Sequence, residues 1–464
     1  MHNFYSPFGE LSCHRNTEFR NVFFPCFSVS VAIFFLPKAN TGTLISFSGF
    51  FICNNQRSIS YFRNMSLSHQ QLCSLAEEFG TPLYVYDTEH ITAQYQKLTN
   101  AFAQTDTKFF YACKALTNIN ILKHIKSIGC NVDCSSINEV RLAKLAGFEP
   151  KEILYTSNGI HFNEIEEAQS LGVYINIDSL SNLEKFGAKF GHSYPVGIRL
   201  RPNIMAGGNL KVSTGHDNSK FGIPVDQLDK ILVLVAQYNL HIQNLHIHTG
   251  SDIKDVDVFV KGIEVLFDII PAFKELESID LGGGFKVPYK EDDTETDMPL
   301  LAQKVNEAFS NHPNPDGKHL QVWFEPGKFL VSGCGYLITE VNVLKETAAT
   351  TFVGINSGLN HLIRPMFYDA YHKIENISNP NGEEKKYAVT GYICETDTFA
   401  WDRKLPEVRE GDLLVFYNAG AYGFEMSSNF NSRFKPAEVL VAAGKTTLIR
   451  RRDEFEDLLR NQVI

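Results

Sequence analysis

The chain has 464 residues, more than one ordinary domain holds, so two domains are the first expectation. Hydrophobic residues at 44% and charged residues at 21% exclude a disordered chain, and 43 basic against 53 acidic side chains, net −10, argue against nucleic acid or an anionic membrane as partner. Nine cysteines with no Cys-x-x-Cys pair make neither a disulfide scaffold nor a zinc centre, so no metal site and a reduced, cytoplasmic setting are expected.

Residues 1–64 differ from the rest. They hold 12 of the 36 phenylalanines and only two acids, Glu10 and Glu18, against five Lys/Arg. The segment is therefore +3, which leaves −13 on the remaining 400 residues. The run VFFPCFSVSVAIFFLP (22–37) has the length of a signal-peptide apolar region, but it is short for a membrane span and Pro25, Ser28 and Ser30 interrupt it. The alternative, and the expectation adopted, is an unstructured or mis-assigned extension, with the folded protein starting at Met65.

From about residue 105, short β-branched or aromatic runs alternate with helical runs of period 3.6. The strands are KFFYA (108–112), NVDCS (131–135), EILYT (152–156), VYINI (173–177), VGIRLR (196–201), IQNLHIH (242–248), SIDLG (278–282) and QVWFE (321–325). Helical stretches such as INILKHIKSIG and INEVRLAKLAGF separate them. Eight such repeats indicate an α/β fold, a (β/α)8 TIM-like barrel over 100–335, although a doubly wound open sheet gives a similar string. Lys114, Asp133, Asn158, Asp178, Arg201, His248, Gly282–Gly284 and Glu325 fall at or just past strand C-termini, the rim where such barrels assemble chemistry. EDDTETD (291–297) reads as a solvated acidic loop.

Beyond about 335 the pattern becomes strand and turn: GYLITEVNVLKE, TFVGINS, KKYAVTGYI, DLLVFYNAG and AEVLVAAG. An all-β C-terminal domain, sandwich- or barrel-like, is expected there, with 66–99 joining 336–464 and 80–90 contributing a strand.

Gly282-Gly283-Gly284 after a strand would let backbone amides approach an anion, or would simply make a turn. A Walker loop is excluded because Val439 stands where AGKTT (443–447) requires glycine, and no GxGxxG dinucleotide fingerprint is present. Lys114 in YACKA closes the first barrel strand in apolar surroundings, where desolvation would lower its pKa and favour a Schiff base. With a phosphate cradle and the rim carboxylate of Glu325, it points to pyridoxal phosphate.

YACKA, VDCSS, HIHTGSD, DLGGGF, FEPGK, RPMFYDAYH, CETD and NAGAYG, in this order, resemble the alanine-racemase-fold, pyridoxal-phosphate-dependent decarboxylases, and among them the diaminopimelate decarboxylase family. The resemblance spans roughly 66–445. It implies decarboxylation of meso-2,6-diaminopimelate to L-lysine, the last step of lysine biosynthesis, by a homodimer with shared sites. Lys114 would carry pyridoxal 5′-phosphate, with Asp133 as its polar neighbour, His248 (backed by His246) on the ring face and Glu325 on the ring nitrogen. Ser251, Gly282, Gly283, Gly284, Pro326, Gly327, Lys328 and Tyr422 would hold the phosphate. Lys328, Arg364, Tyr368, Glu395 and Tyr422 would bind substrate, and Cys394 would return the proton.

The chain departs from the family pattern at three places. Lys328 stands where the family usually has arginine, so a point charge replaces a bidentate fork. CETD is shorter than the usual Cys-Glu-Ser-Gly-Asp run, and TGSD replaces a more apolar sequence. Rival readings are a decarboxylase of ornithine, arginine or carboxynorspermidine, and a non-catalytic cofactor-binding homologue. RPMFYDAYH disfavours the first, because those substrates lack the amino-acid terminus that Arg364 and Tyr368 would grip. The second predicts loss of the lysine, the proton donor or the β-domain, and all three are present.

Overall fold

A computed structural model of the chain describes residues 67–203, 219–312 and 319–464. The expectations placed on 1–64 lie outside the described residues. Helix α1 (His69–Phe79) opens the described part, capped by Ser68, whose side chain accepts from the Gln71 amide. Strand β1 (Leu83–Asp87) and helix α2 (Thr88–Ala101) follow.

Eight parallel strands then close on themselves: β2 (Thr107–Ala112), β3 (Asn131–Cys134), β4 (Ile153–Thr156), β5 (Tyr174–Ile177), β6 (Val196–Arg201), β8 (Ile242–Ile247), β9 (Ser278–Asp280) and β10 (Gln321–Phe324). The two-residue β7 (Ile223–Pro224) adds to β6 outside the ring. The sequence pattern therefore gives a TIM-like barrel, as expected, and the open-sheet alternative fails because β10 pairs with β2. Strands of a closed parallel barrel are covered on both faces, so most of these residues are buried and the strands lack a polar stripe facing solvent. The helices between them carry local stop and start signals. Residues Ile137–Ala146, for example, start on the Ser136 side chain and end on Gly147 at φ 97°.

Register decides what fills the barrel. Phe110, Leu154 and Trp323 form an apolar plug, with Tyr174 against it. Above it runs a polar chain in which Ser278 Oγ donates to Asn244 (2.8 Å), Asn244 to Asn176 (3.0 Å) and Asn176 to Thr156 (3.0 Å). A Cβ on Gly197 would lie 2.0 Å from Asn176 Oδ1, so a glycine there is what lets this chain cross the barrel. Two residues further along each strand, the same inward face carries the charged groups described below.

The remaining strands form a second, nine-stranded sheet, ordered β15–β14–β12–β11–β1–β17–β18, with β16 paired to β11 and β13. They are β11 (Gly335–Glu346), β12 (Thr351–Ile355), β13 (Ile374–Asn376), β14 (Glu384–Thr390), β15 (Thr398–Pro406), β16 (Leu413–Phe416), β17 (Ala437–Ala442) and β18 (Lys445–Arg450). β1 lies between β11, antiparallel, and β17, parallel. One face of this sheet packs Leu83, Val85, Tyr336, Ile338 and Val439 against Leu72 and Leu75 of α1. The 291–297 segment corrects the expectation of a merely solvated loop. Thr296 is fully buried and its hydroxyl joins the Lys286 amide to the Ile253 carbonyl, so the acidic run is stapled near its C-terminal end, while Glu291 and Asp292 at its start are exposed. No helix among the described residues is long and apolar enough to cross a membrane.

Candidate active site

The strand pairs Ala112–Asp133, Arg199–His246 and His246–Asp280 set one level of the barrel interior, and Glu325 follows Trp323 on the same face of β10. Asp133, Arg199, His246, Asp280 and Glu325 are all under a tenth exposed. Lys114 reaches this level from the turn Cys113–Ala115, just past β2, with Nζ 3.6 Å from Asp133 Oδ2. Its side chain is 45% exposed while that of Asp133 is 1% exposed, so the amine faces open space from a buried carboxylate.

The lysine does not have the lowered pKa expected from apolar surroundings. Burial does push it down, but the field of Asp133, Tyr422 and Glu325 more than offsets this and holds it above its ordinary value. The carboxylates show the complementary effect. Burial, then the neighbouring Asp280 charge, pushes Glu325 up to about 8. Burial raises Asp280 to about 7, against the Gly282 amide that donates to it at 2.9 Å. Two such neighbours titrate as a coupled pair, in which burial favours keeping a proton. Burial and the Arg199 charge hold His246 and His248 neutral.

Both Asp133 carboxylate oxygens, both His246 ring nitrogens, Glu325 Oε1 and Asp280 Oδ2 are buried with no hydrogen-bond partner among the described residues. His246 Nε2 and Glu325 Oε1 stand 3.5 Å apart without bonding. Such orphaned groups are costly in a barrel core and mark a place built for a polar guest.

The glycine run lies across this level. The Gly282 amide is engaged with Asp280, and the Gly283 amide donates to His248 Nδ1 at 3.2 Å. Two of the three amides expected to meet an anion are thus used within the protein. The side chains are absent for a steric reason: a Cβ on Gly283 would sit 2.1 Å from the Glu325 carbonyl oxygen, and one on Gly284 2.0 Å from that of Gly250. Half-buried Ser251 lies in the loop after β8, which the Ile253 amide ties to the Gly284 carbonyl at 2.9 Å. Pro326 accepts from the Ala112 amide at 3.1 Å, and Gly327 precedes the helical turn Lys328–Val331.

Lys328 is buried and paired with Asp252, close to the Tyr289 ring. Arg364, also buried, donates to Tyr289 Oη (2.9 Å) and lies 3.3 Å from His372 Nε2. His372 Nδ1 sits 2.9 Å from the Tyr417 carbonyl, so it carries the proton and Nε2 accepts from the arginine. Burial and Arg364 lower His372 to about 3, which keeps it neutral. Tyr422 joins the two groups of residues. Its amide donates to Ala115 O at 2.9 Å, and its hydroxyl feels Lys114, Arg364, Tyr289 and Tyr368. Its φ of 56° is left-handed, a conformation costly for an aromatic residue and typical of functional positions. Tyr368 ends the short helix Arg364–Tyr368, half-buried with its ring edge-on to Phe367.

Cys394 and Glu395 are not part of this assembly. Both are exposed, on a loop that Asp397 pins through the Leu359 (2.5 Å) and Ile393 (2.7 Å) amides. The Cys394 thiol accepts from Asn431 Nδ2 at 3.4 Å. Sequence reasoning missed Arg199, Asp252, Asp280, Tyr289 and His372. Arg199 and Asp280 carried a usable signal, since a charge inside a strand buried on both faces must face the barrel interior.

Residues 88–332 match the family model described as pyridoxal-dependent decarboxylase, pyridoxal binding domain. A diaminopimelate decarboxylase of Methanothermobacter thermautotrophicus is 38% identical over 398 residues, covering 84% of this chain and 93% of that protein. One of Neisseria meningitidis serogroup B is 34% identical over 398 residues, covering 84% and 94%. The crystal structure of diaminopimelate decarboxylase from Helicobacter pylori complexed with L-lysine matches with a TM-score of 0.77 at 31% identity, covering 84% of this chain and 98% of that one.

Proposed function

Since the chain belongs to the diaminopimelate decarboxylase family of pyridoxal-dependent decarboxylases, we propose that it converts meso-2,6-diaminopimelate to L-lysine and carbon dioxide, using the barrel rim around Lys114. The observation that carries this reading is Tyr422, which links the Lys114 level to the buried Arg364. A reacting amine and a carboxylate-gripping guanidinium then serve one elongated substrate with an amino acid at each end.

The residues present fit pyridoxal phosphate. The orphaned oxygens of Asp133 and Glu325 can take up a cationic ring nitrogen and the lysine amine, and the surplus of carboxylate over base welcomes positive charge. Bound there, the cofactor supplies an electron sink for the pair released when the carbon–carboxylate bond breaks. Lys114 would supply the amine that holds it and would give way to the substrate amine. Asp133 keeps that amine oriented as an ion-pair partner at 3.6 Å. Glu325, once deprotonated, balances the charge on the ring nitrogen, with His246 behind it. His248, neutral and fixed by the Gly283 amide, offers an uncharged ring face. Ser251, the Gly284 amide, the 326–328 segment and Tyr422 make the phosphate end. Gly282 and Gly283 shape it by their missing side chains rather than by their amides. Lys328, held by Asp252, contributes charge there or to the substrate.

Arg364, oriented by Tyr289 and His372, binds the distal carboxylate, and Tyr368 closes over it. The Cys394 thiol returns a proton to the carbon that lost carbon dioxide, and Glu395 meets an ammonium group of the substrate. Both sit on an exposed loop, and in this reading they enter the site of a second subunit of a homodimer with shared sites; a cytoplasmic setting belongs to the same reading. The division into a cofactor-binding barrel at 100–335 and a β-domain of 66–99 plus 336–464 belongs to the same reading.

The test is lysine and carbon dioxide formation from meso-diaminopimelate, ornithine and arginine in parallel, by the parent and by Cys394→Ala. Turnover of diaminopimelate alone, sharply reduced in the variant, is the expected result. Turnover of ornithine in preference to diaminopimelate refutes the substrate assignment.

A further inference from the structure

The opposite, N-terminal face of the barrel carries a second set of converging donors. His192 lies four residues before Val196, which opens β6. His241 immediately precedes Ile242 at the start of β8, and Glu275 lies three residues before Ser278 at the start of β9. Val196 pairs with Ile242, and Asn244 with Ser278, so three neighbouring strands deliver these residues from three separate connections. One ligand atom from each lies within 4.8 Å of the other two. His192 Nε2 is 3.2 Å from Glu275 Oε1, and the two imidazole rings are 5.3 Å apart, tilted by 38°.

We propose that His192, His241 and Glu275 form a binding site for a divalent transition metal ion of the zinc class, separate from the decarboxylation site. Two imidazole nitrogens and one carboxylate oxygen are a donor set that zinc accepts, with water completing a tetrahedron. Magnesium and calcium are disfavoured because they require mainly oxygen ligands. Bonds of 2.0–2.1 Å place tetrahedral donors roughly 3.3 Å apart. The His192–Glu275 pair already has that spacing, and small rotations of half-exposed side chains bring in the third donor. A simple ion pair would need only one of the two histidines. The backbone beneath is fixed: the Val196 amide donates to the His241 carbonyl at 3.0 Å, and the Glu277 amide to Gln243 at 2.8 Å. The ion therefore tethers three connections on the face that contributes stability rather than chemistry. It raises the melting temperature and leaves turnover unchanged.

Zinc chloride is titrated into tag-free, cofactor-saturated enzyme by calorimetry, with cobalt as a spectroscopic probe. The comparison proteins are His192→Ala/His241→Ala and Glu275→Gln. The parent is expected to bind one zinc per chain with micromolar or tighter affinity, to show the visible bands of a four-coordinate cobalt centre, and to melt higher with zinc. The double variant should lose at least about 100-fold in affinity together with the cobalt spectrum and the thermal shift, and Glu275→Gln about 10-fold, at parental decarboxylase activity. Equal affinity in parent and double variant overturns the proposal, because the metal then sits elsewhere, as at Cys394 or beside His246. Parent binding weaker than millimolar overturns it as well.

Discussion

Replacing Glu325 with glutamine removes one of the acids that the barrel holds well above its ordinary state. The folded protein raises this carboxyl from 4.5 to about 8. A raised acid contributes stability that is fully present below its unfolded value and is lost as pH rises through its folded one. At about 1.4 kcal/mol per unit, the penalty relative to a group that never titrates grows from roughly 1 kcal/mol at pH 5.5 to roughly 4 kcal/mol at pH 7.5. Cofactor-free Glu325→Gln should therefore lose about 3 kcal/mol less stability than the parent across that interval. Its melting temperature should fall about 3 °C less, taking the entropy of unfolding expected for a chain of this length. The assay is thermal unfolding of both proteins, stripped of cofactor, from pH 5 to 8.5. With cofactor bound the order reverses, because glutamine cannot balance a ring cation, and turnover falls about 100-fold or more. Parallel pH dependences of melting in the two stripped proteins would refute the reasoning.

Cys394→Ala should lower turnover by about 10²–10⁴, the range for a proton donor, while cofactor absorbance and melting temperature stay parental because the side chain is exposed. Parental turnover would remove the thiol from the reaction. Arg364→Lys keeps the charge but loses the planar fork beside Tyr289 and His372, so KM for diaminopimelate should rise about 10–100-fold, with a much smaller effect on kcat. Gly283→Ala would place a methyl group against the Glu325 carbonyl, where only backbone movement can relieve it. About 1–3 kcal/mol of stability should disappear, visible as a lower melting temperature, together with weaker cofactor binding in a dialysis assay.

The barrel could be read from the sequence because its signal is local. Each strand is a short β-branched or aromatic run, each helix has a 3.6 period, and eight repeats leave few ways to close. Lys114, Asp133, His248 and Glu325 could be read for the same reason, as polar residues at strand ends where an apolar run should continue. Tyr289 and His372 could not. They act through Arg364, and contacts spanning 75 and 8 residues have no periodic trace. The acidic run at 291–297 misled because its charges are conspicuous, whereas Thr296, which fixes it, has no charge.

The lysine pKa is the instructive reversal. Position alone places Lys114 against an apolar strand, and burial by itself does lower its basicity. The sign changes because Asp133, Tyr422 and Glu325 act on the amine, in a barrel interior that holds four acids, Asp133, Asp178, Asp280 and Glu325, against two bases, Lys114 and Arg199. No linear pattern encodes that count, because it depends on which residues of different strands face one another. Burial first, and then the neighbouring acids, raise Glu325 to about 8 and Asp280 to about 7. A guest bringing one positive ring nitrogen would release the Glu325 proton and improve the charge balance. The lysine must in turn become neutral to react, and a cation arriving beside Asp133 and Glu325 weakens the field that keeps it charged. Cofactor binding and lysine activation are therefore coupled through shared carboxylates, so weakening one of them at Glu325 should impair both.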